Sequence, residues 1–326
     1  MTNRHPAGAH TERTRPPRDT RARTSPVSTG PHSALSGQAS KRIAIATCAA
    51  LPDGFEDDHH AVALLGGEYA TWTDAHVDWQ DFDRVLIRST WDYTSNRTEF
   101  VQWAHSVGAG RLLNAPALIE WNSDKSYLRD IDAPTVPTTF VGPTASLPRL
   151  EGEVVVKPTI SAGAVDTGRF SPSHHDRARA LVKRITDSGR TAMIQPYLRG
   201  IGTKGETALV FIGGELSHVL HKKPVLRPNE IAPLAEATGS VVAAKAMFDP
   251  DLVTAGQADA AQIALAERVI GQVSDRFGVP TFARVDLVPG PDAEPILLEL
   301  EAVEPCLYLD TAPGAAAKLA DAVLRS

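Results

Sequence analysis

The stretch from Phe282 to Leu309, FARVDLVPGPDAEPILLELEAVEPCLYL, carries the strongest structural signal in this sequence. It contains two runs rich in apolar residues, separated by the Pro, Gly and Asp residues of the segment Pro289 to Pro295. Apolar runs around such a segment are typical of an antiparallel hairpin with a longer loop. The stretch therefore predicts two neighbouring strands close to the end of the chain.

Four charged side chains are expected on one face of this hairpin, because alternate residues of a strand point the same way. Pairing the strands about the loop can bring Asp286 opposite Glu299 and Arg284 opposite Glu301. Adjacent carboxylates repel by about 4 kcal/mol at an effective dielectric constant of about 20, so a cation must compensate. Oxygen ligands on strands suit Mg²⁺. A solvated sheet edge with clustered glutamate is the alternative that this stretch alone leaves open.

Composition limits the class of protein. The 326 residues suffice for a large core and several subdomains. No apolar run approaches the roughly 20 residues that a membrane-spanning helix needs, so no membrane partner is expected. Cys48 and Cys306 are too few for a disulfide scaffold and favour a reduced, cytoplasmic protein.

Residues 1–40 differ in composition from the rest of the chain. They are rich in Thr, Pro, Ser and Gly and carry six Arg against one Glu and one Asp. Such a segment cannot bury enough apolar surface to offset its chain entropy, which predicts a disordered basic tail. This segment carries a net charge of +4, so the whole-chain charge of −6 leaves −10 in the remaining residues. Such an acidic body argues against nucleic-acid binding. A basic arm that touches RNA or a membrane is the alternative.

Residues 41–118 alternate between apolar strand-like runs and helical segments, which predicts a small doubly wound α/β domain that binds substrate. Ligands of such sheets bind beyond the carboxyl ends of the strands, where RSTWDY follows the run VLI. The candidate substrate residues there are Arg88, Ser89, Trp91 and Asp92. Arg88 is expected to hold a carboxylate in bidentate fashion. A packing cluster with an Arg88–Asp92 ion pair is the alternative.

Two lysines in the middle of the chain are candidate phosphate ligands. Lys125 follows good capping residues and is expected in the first turn of a helix. Lys157 ends a β-branched strand and precedes the small-residue loop Ser161 to Ala164, where backbone N–H groups can approach a phosphate closely.

The segment from Gly200 to Gly205 satisfies a GxGxxG pattern but is predicted as a loop before a hairpin that turns at Gly213 and Gly214. Because a strand follows it rather than a helix, we reject a dinucleotide-binding motif. The GxxxxGK[ST] pattern of a phosphate-binding loop does not occur in the sequence.

Taken in order, Lys125, Lys157, the run IQPYL, Glu206 and the pair ARVDL and ELE resemble the ATP-grasp superfamily from about Leu118 to the end. The resemblance implies a two-lobed α+β fold, with a central lobe at 119–198 and a carboxy-terminal lobe at 199–326 that contains the catalytic hairpin. RSTWDY, GETALVFIGGELSHVLHKKP and ELEAVEP are similar to a group related to glutathione synthetase. That group includes a cyclo-ligase that forms the antibiotic D-cycloserine.

The resemblance also implies roles for individual positions. The implied ATP contacts are Lys125, Lys157, Ser161, Gly163, Gln195, Pro196, Tyr197, Leu198 and Glu206. The implied ligands of two Mg²⁺ ions, for which Mn²⁺ is a possible substitute, are Asp286, Glu299 and Glu301. Arg284 is expected to face the transferred phosphoryl group, with Lys222 helping to neutralise its charge. Relatives usually carry Asn where this chain has Glu301, which adds one negative charge to the metal site.

The expected function is an ATP-dependent ligase. It would convert a carboxylate into an acyl phosphate and capture it with a nitrogen nucleophile, from a second small molecule or from the same one as in ring closure. A kinase-like phosphotransferase and a non-catalytic ATP-binding protein are the alternatives. Small-molecule carboxylates and amines are the expected partners, and a homodimer is left open.

Overall fold

The computed structural model describes residues 41–231 and 251–326. The predicted basic tail at 1–40 lies outside these residues and stays a prediction. The described chain builds three β-sheets. None of its helices is long and apolar enough to cross a membrane.

The first sheet is parallel and has the strand order β2-β1-β3-β4. Its elements are β1 (Ile43–Thr47), α1 (His59–Leu65), β2 (Glu68–Thr71), β3 (Arg84–Ser89), α2 (Arg97–Val107), β4 (Leu112–Leu113) and α3 (Pro116–Asn122). Ile43 and Ile45 pack with α1, whereas Ala44 and Ala46 pack with α2 on the other face. Helices thus cover both faces, and the expected doubly wound α/β arrangement is confirmed.

The second sheet is antiparallel and has the order β5-β8-β6-β7. Its elements are β5 (Thr139–Val141), β6 (Val154–Pro158), β7 (Gly168–Phe170), α4 (His175–Asp187) and β8 (Ala192–Pro196). The apolar face of α4 covers this sheet, with Leu181 and Ile185 packed in one cluster with Val156 and Phe170.

The third sheet is also antiparallel and has the order β11-β10-β9-β12-β13. Its elements are α5 (Arg199–Lys204), β9 (Glu206–Ile212), β10 (Glu215–Lys222), β11 (Val253–Ala255), α6 (Ala260–Phe277), β12 (Phe282–Pro289), β13 (Pro295–Glu301) and α7 (Ala315–Arg325). Gly213 and Gly214 form the expected turn, both with positive φ, which a two-residue hairpin favours. Helices α6 and α7 pack in separate clusters with residues of this sheet.

The loop predicted before β9 is wrong, because Arg199–Lys204 form α5. Glycine lowers helix propensity by about 1 kcal/mol, so the sequence disfavours a helix at this point. The helix packs against β12, and a Cβ on Gly200 would lie 3.0 Å from Pro289 Cβ. Close packing on the hairpin therefore outweighs the local propensity. A strand does follow the glycines, as expected, so the rejection of a dinucleotide motif holds.

Candidate active site

One cavity of about 440 Å³ collects most of the residues that the sequence singles out. Side chains from β6, β8, β9, β10, β12 and β13 line it, so both antiparallel sheets contribute to its wall. The lining includes all of the expected ATP, metal and charge-neutralising residues, together with Trp91. A cavity of this size is suited to a small-molecule ligand. The roles of the individual residues stay predictions.

The register of the β12–β13 hairpin is the one expected. Arg284 lies opposite Glu301 and Asp286 lies opposite Glu299, which confirms the predicted pairing. A register shift next to Asp286 leaves Leu298 without an opposite residue. If the strands paired from the loop without this bulge, Leu298 would lie opposite Asp286. The two glutamates would then no longer lie opposite Asp286 and Arg284.

A dense group of charges occupies the floor of the cavity. Asp286 accepts hydrogen bonds from Arg284 Nε at 2.8 Å and from Lys222 Nζ at 2.8 Å. Lys222 Nζ also lies 3.0 Å from Glu206, and Arg284 Nη2 donates to Glu301 at 2.5 Å. Burial opposes ionisation of Asp286, but Arg284 and Lys222 outweigh it and hold the Asp286 pKa well below its usual range. Burial raises the pKa of Glu301 despite the neighbouring Arg284.

The two candidate phosphate lysines already have partners. Lys157 Nζ donates to Glu299, and Lys125 Nζ donates to the Ser161 carbonyl at 2.7 Å. Burial disfavours the Glu299 carboxylate, but Lys157 and Lys125 lower its pKa to about 2. Lys125 begins a 3₁₀ helix whose cap is the Asp124 side chain, so its expected helical position is confirmed. These contacts hold both ammonium groups at the cavity.

The residues predicted to bind metal supply suitable oxygen donors, but they do not form a preformed metal site. Within residues 41–231 and 251–326, no group of three or more His, Cys, Asp or Glu side chains is arranged to hold a metal ion. Asp286, Glu299 and Glu301 each turn toward a lysine or an arginine instead. Their carboxylates nevertheless offer only oxygen ligands at opposed or alternate strand positions, which is the chemistry that Mg²⁺ prefers. The residues present therefore fit Mg²⁺, provided that the cationic partners move away.

Three of the four candidate substrate residues lie away from the cavity lining. Arg88 is 2% exposed, and its Nε donates to Asp58 at 2.8 Å. The alternative Arg88–Asp92 pair is wrong, because Asp92 accepts from the Trp72 indole at 2.7 Å. Ser89 is buried, with its hydroxyl 3.2 Å from that of Thr47. The end of β3 is thus packed into the core, and of this group only Trp91 reaches the cavity.

Residues 302–310 follow the hairpin, and sequence reasoning assigned them no role at the site. Side chains from separate elements hold four successive carbonyls of this segment. The bonds are Trp91 Nε1 to Glu304 O (3.1 Å), Arg88 Nη2 to Pro305 O (2.9 Å), Arg284 Nη1 to Cys306 O (2.8 Å) and His218 Nε2 to Leu307 O (2.7 Å). The segment is therefore fixed beside the cavity.

Glu304, Cys306 and Tyr308 of this segment line the cavity, as do Phe55 and Tyr93. Burial and the neighbouring Glu301 raise the pKa of Glu304 to about 8. Glu304 is the third glutamate of the motif ELEAVEP. Its position three residues after Glu301 is the sequence signal that could have identified it.

Comparison with known proteins gives a consistent result. A family model described as D-cycloserine synthetase DcsG, N-terminal domain, matches residues 43–114. The cycloserine biosynthesis protein DcsG of Streptomyces lavendulae is 32% identical over 277 residues, which cover 79% of this chain and 88% of that protein. The crystal structure of D-cycloserine synthetase DcsG matches with a TM-score of 0.72 at 29% identity, covering 87% of this chain and 98% of that one.

A second solved structure shows the fold at greater distance. The RimK domain ATP-grasp protein of Sphaerobacter thermophilus has a TM-score of 0.59 at 17% identity, covering 86% of this chain and 99% of that one. The resemblance predicted from the sequence motifs is thereby confirmed. The chain has the fold of an ATP-grasp protein and belongs to the family of the D-cycloserine synthetase DcsG.

Proposed function

We propose that this protein uses ATP to convert a small-molecule carboxylate into an acyl phosphate and then captures it with a nitrogen nucleophile to form an amide bond. The main support is that one cavity is lined both by the residues expected to bind ATP and by the charged residues of the β12–β13 hairpin. Its family membership favours this ligase over the phosphotransferase and the non-catalytic ATP-binding protein.

The nucleotide half of the site would use residues of four elements, namely the 3₁₀ helix that begins at Lys125 and the strands β6, β8 and β9. Lys125 and Lys157 would bind phosphates, the backbone of Gln195 to Leu198 would contact the adenine, and Glu206 would bind the ribose hydroxyls. Lys157 now pairs with Glu299, and its ammonium group would exchange that carboxylate for a phosphate oxygen. This exchange would free the Glu299 carboxylate at the moment when the nucleotide arrives.

The phosphoryl half of the site would use the hairpin. Asp286, Glu299 and Glu301 would hold two Mg²⁺ ions, or Mn²⁺ in their place. When bound, these ions neutralise charge on the transferred phosphoryl group. Arg284 and Lys222 would supply further positive charge from the same wall, and Arg284 is only 5% exposed. Buried donors of this kind stabilise developing charge more strongly than donors in water.

We further propose that the nitrogen nucleophile belongs to the same molecule as the carboxylate, so that the reaction closes a ring and serves antibiotic biosynthesis. The support is the similarity over 88% of the length of a protein named for cycloserine biosynthesis. Closing a ring requires the acyl phosphate to meet its own amine before water, and the cavity wall would exclude water at that stage.

A coupled ADP-release assay tests the proposal, over a panel of amino acids and their ureido and dipeptide relatives. We expect ADP release with a single substrate and a cyclic product by mass spectrometry. Glu299→Gln should lower kcat by about a hundredfold or more, because the lost carboxylate supplies several kcal/mol of charge stabilisation through the metal. Glu294→Gln, at an exposed loop position, is the matched control.

Three results would contradict the proposal in different ways. A phosphorylated product without a new C–N bond would support the phosphotransferase. Absence of ADP release over the whole panel would support a non-catalytic protein. Near wild-type activity of Glu299→Gln, with the thermal midpoint unchanged, would reject the metal assignment.

A further inference from the structure

The acidic residues of the cavity differ in whether they have a cationic partner. Five carboxylates line it within the part of the chain that the structure describes. Four of them pair with Lys157, Lys222 or Arg284; they are Glu206, Asp286, Glu299 and Glu301. Among the described residues, Glu304 has no such ion pair. A cationic ligand that enters the cavity would stabilise the ionised form of this half-buried carboxyl group.

Aromatic residues line the cavity together with Glu304. One of them is Tyr93, and another, Trp91, donates from its indole to the Glu304 backbone carbonyl at 3.1 Å. Phe55 packs edge-on against Trp91, with ring centroids 5.3 Å apart, and all of these residues line the cavity. A carboxylate beside aromatic faces is suited to an ammonium group, which gains a charge-assisted hydrogen bond and cation–π contacts.

Glu304 lies close to the charged residues of the β12–β13 hairpin, where the phosphoryl transfer is proposed to occur. It lies three residues after Glu301, and its backbone is held by Trp91 while Arg88 holds the next carbonyl. Glu301 and Lys125 are the charged groups that act on its carboxyl. A ligand bound to Glu304 would therefore have its other end near the hairpin charges. A carboxylate and an ammonium group on adjacent atoms, as in an α-amino acid, satisfy both regions.

We propose that Glu304 binds the ammonium group of the substrate and thereby selects amino acids over carboxylates that lack an amino group. The inference rests on the proposed ligase function and deepens it by assigning the residue that recognises the amino group. Glu304 is a specificity residue in this account, since it contacts an atom that takes no part in the phosphoryl transfer.

A binding experiment tests the proposal without turnover. The probes are D-cycloserine, which carries a primary amine, and isoxazolidin-3-one, the same ring without it. Each is titrated by calorimetry into the full-length protein with ADP and Mg²⁺ present. We expect the wild-type protein to bind D-cycloserine about ten- to a hundredfold more tightly, the range for a hydrogen bond to a charged group. Glu304→Gln should remove this preference, and Glu294→Gln, at an exposed position, should keep it.

Two outcomes would overturn the assignment. One is a wild-type protein that does not distinguish the two rings. The other is a Glu304→Gln variant that retains the preference or weakens both ligands equally, as a purely structural role would. Either outcome with ADP release intact rejects the role of Glu304 and leaves the ligase in place, whereas loss of all ADP release from the wild-type protein rejects the ligase itself.

Discussion

At the scale of single residues, Arg88 shows how burial changes the meaning of a sequence signal. Its position after a strand of a doubly wound sheet indicates a ligand contact. Its side chain is instead 2% exposed, bonded to Asp58 and to the Pro305 carbonyl, and lies over the Phe282 ring at 5.1 Å. Arg88 therefore joins β3 to the segment at 302–310 and acts on the cavity through that segment.

Arg88→Ala should destabilise the fold. The substitution leaves Asp58 buried without its cation, and breaking a buried ion pair in this way costs about 3–5 kcal/mol. Urea unfolding at pH 7 measures the loss. A variant of near wild-type stability, with a raised KM for the acid alone, would restore the substrate role for Arg88.

Glu304 should make stability depend on pH in a definite direction. Burial raises its pKa from 4.5 to about 8, so the folded protein binds a proton that the unfolded chain releases above pH 4.5. Stability is therefore lost progressively as the pH rises between these two values. Glu304→Gln should gain stability relative to the wild-type protein at pH 8 and differ little at pH 5.

Urea unfolding of both proteins at the two pH values checks this difference. Glu294→Gln again serves as the exposed control and should follow the wild-type protein. A Glu304→Gln variant that gains no stability between pH 5 and pH 8 would show that Glu304 titrates near its ordinary value.

At the scale of elements, the hairpin is fixed to α3 by a buried amide. Asn122 Nδ2 donates to the Leu300 carbonyl at 2.9 Å, and Asn122 Oδ1 accepts from the Ala302 N–H at 2.6 Å. The sequence indicates a helix cap at this point, but Asp124 supplies that cap and Asn122 instead secures the end of β13. The glutamates at 299 and 301 therefore depend on a helix that precedes them by more than a hundred residues.

Asn122→Ala should lower the free energy of unfolding by about 1–3 kcal/mol. It leaves the buried Ala302 N–H without a partner, whereas the Leu300 carbonyl keeps its hydrogen bond from the Tyr127 hydroxyl at 2.7 Å. Thermal and urea unfolding measure the stability, and the ADP-release assay measures activity. Unchanged stability would mean that water replaces the amide.

At the scale of the whole molecule, the parallel sheet and the third sheet share one apolar core. Ile45 and Leu86 of the first sheet belong to the same cluster as Val210 and Phe282 of the third, together with Leu319 of α7. The α1 face of the parallel sheet therefore has no separate core, whereas its α2 face packs in a cluster that, apart from Val303, consists of amino-terminal residues. The predicted division at residues 118 and 198 describes the sequence pattern and stays untested as a set of folding units.

Leu319→Ala should destabilise both sheets together. Leu319 is 1% exposed, and removing a buried leucine side chain costs about 2–5 kcal/mol. Tryptophan fluorescence and far-ultraviolet circular dichroism should report one coincident transition at a lower midpoint. Two separate transitions would show that the regions unfold independently.

Removal of residues 1–40 should leave ADP release unchanged, because their composition cannot support a packed core. The truncated protein, beginning at Lys41, is compared with the full chain in kcat, KM and thermal midpoint. An inactive but folded truncation would reject the interpretation of this segment as a dispensable tail.

Periodicity alone was enough to predict the alternation of strands and helices, the hairpin and its four facing charges, because alternation along a strand is a local property of the backbone. The motifs also predicted the ATP-grasp fold and the ATP-type and metal-type residues that line the cavity, but not Phe55 or Glu304. Packing between distant elements decided the rest. The bulge at Leu298 keeps the glutamates opposite their partners, α3 holds β13 in place, and Arg88 is buried against Asp58. Glu304 has no ion pair with any residue in the part of the chain that the structure describes. Burial and pairing depend on which elements meet in space, and no local pattern in the sequence records that.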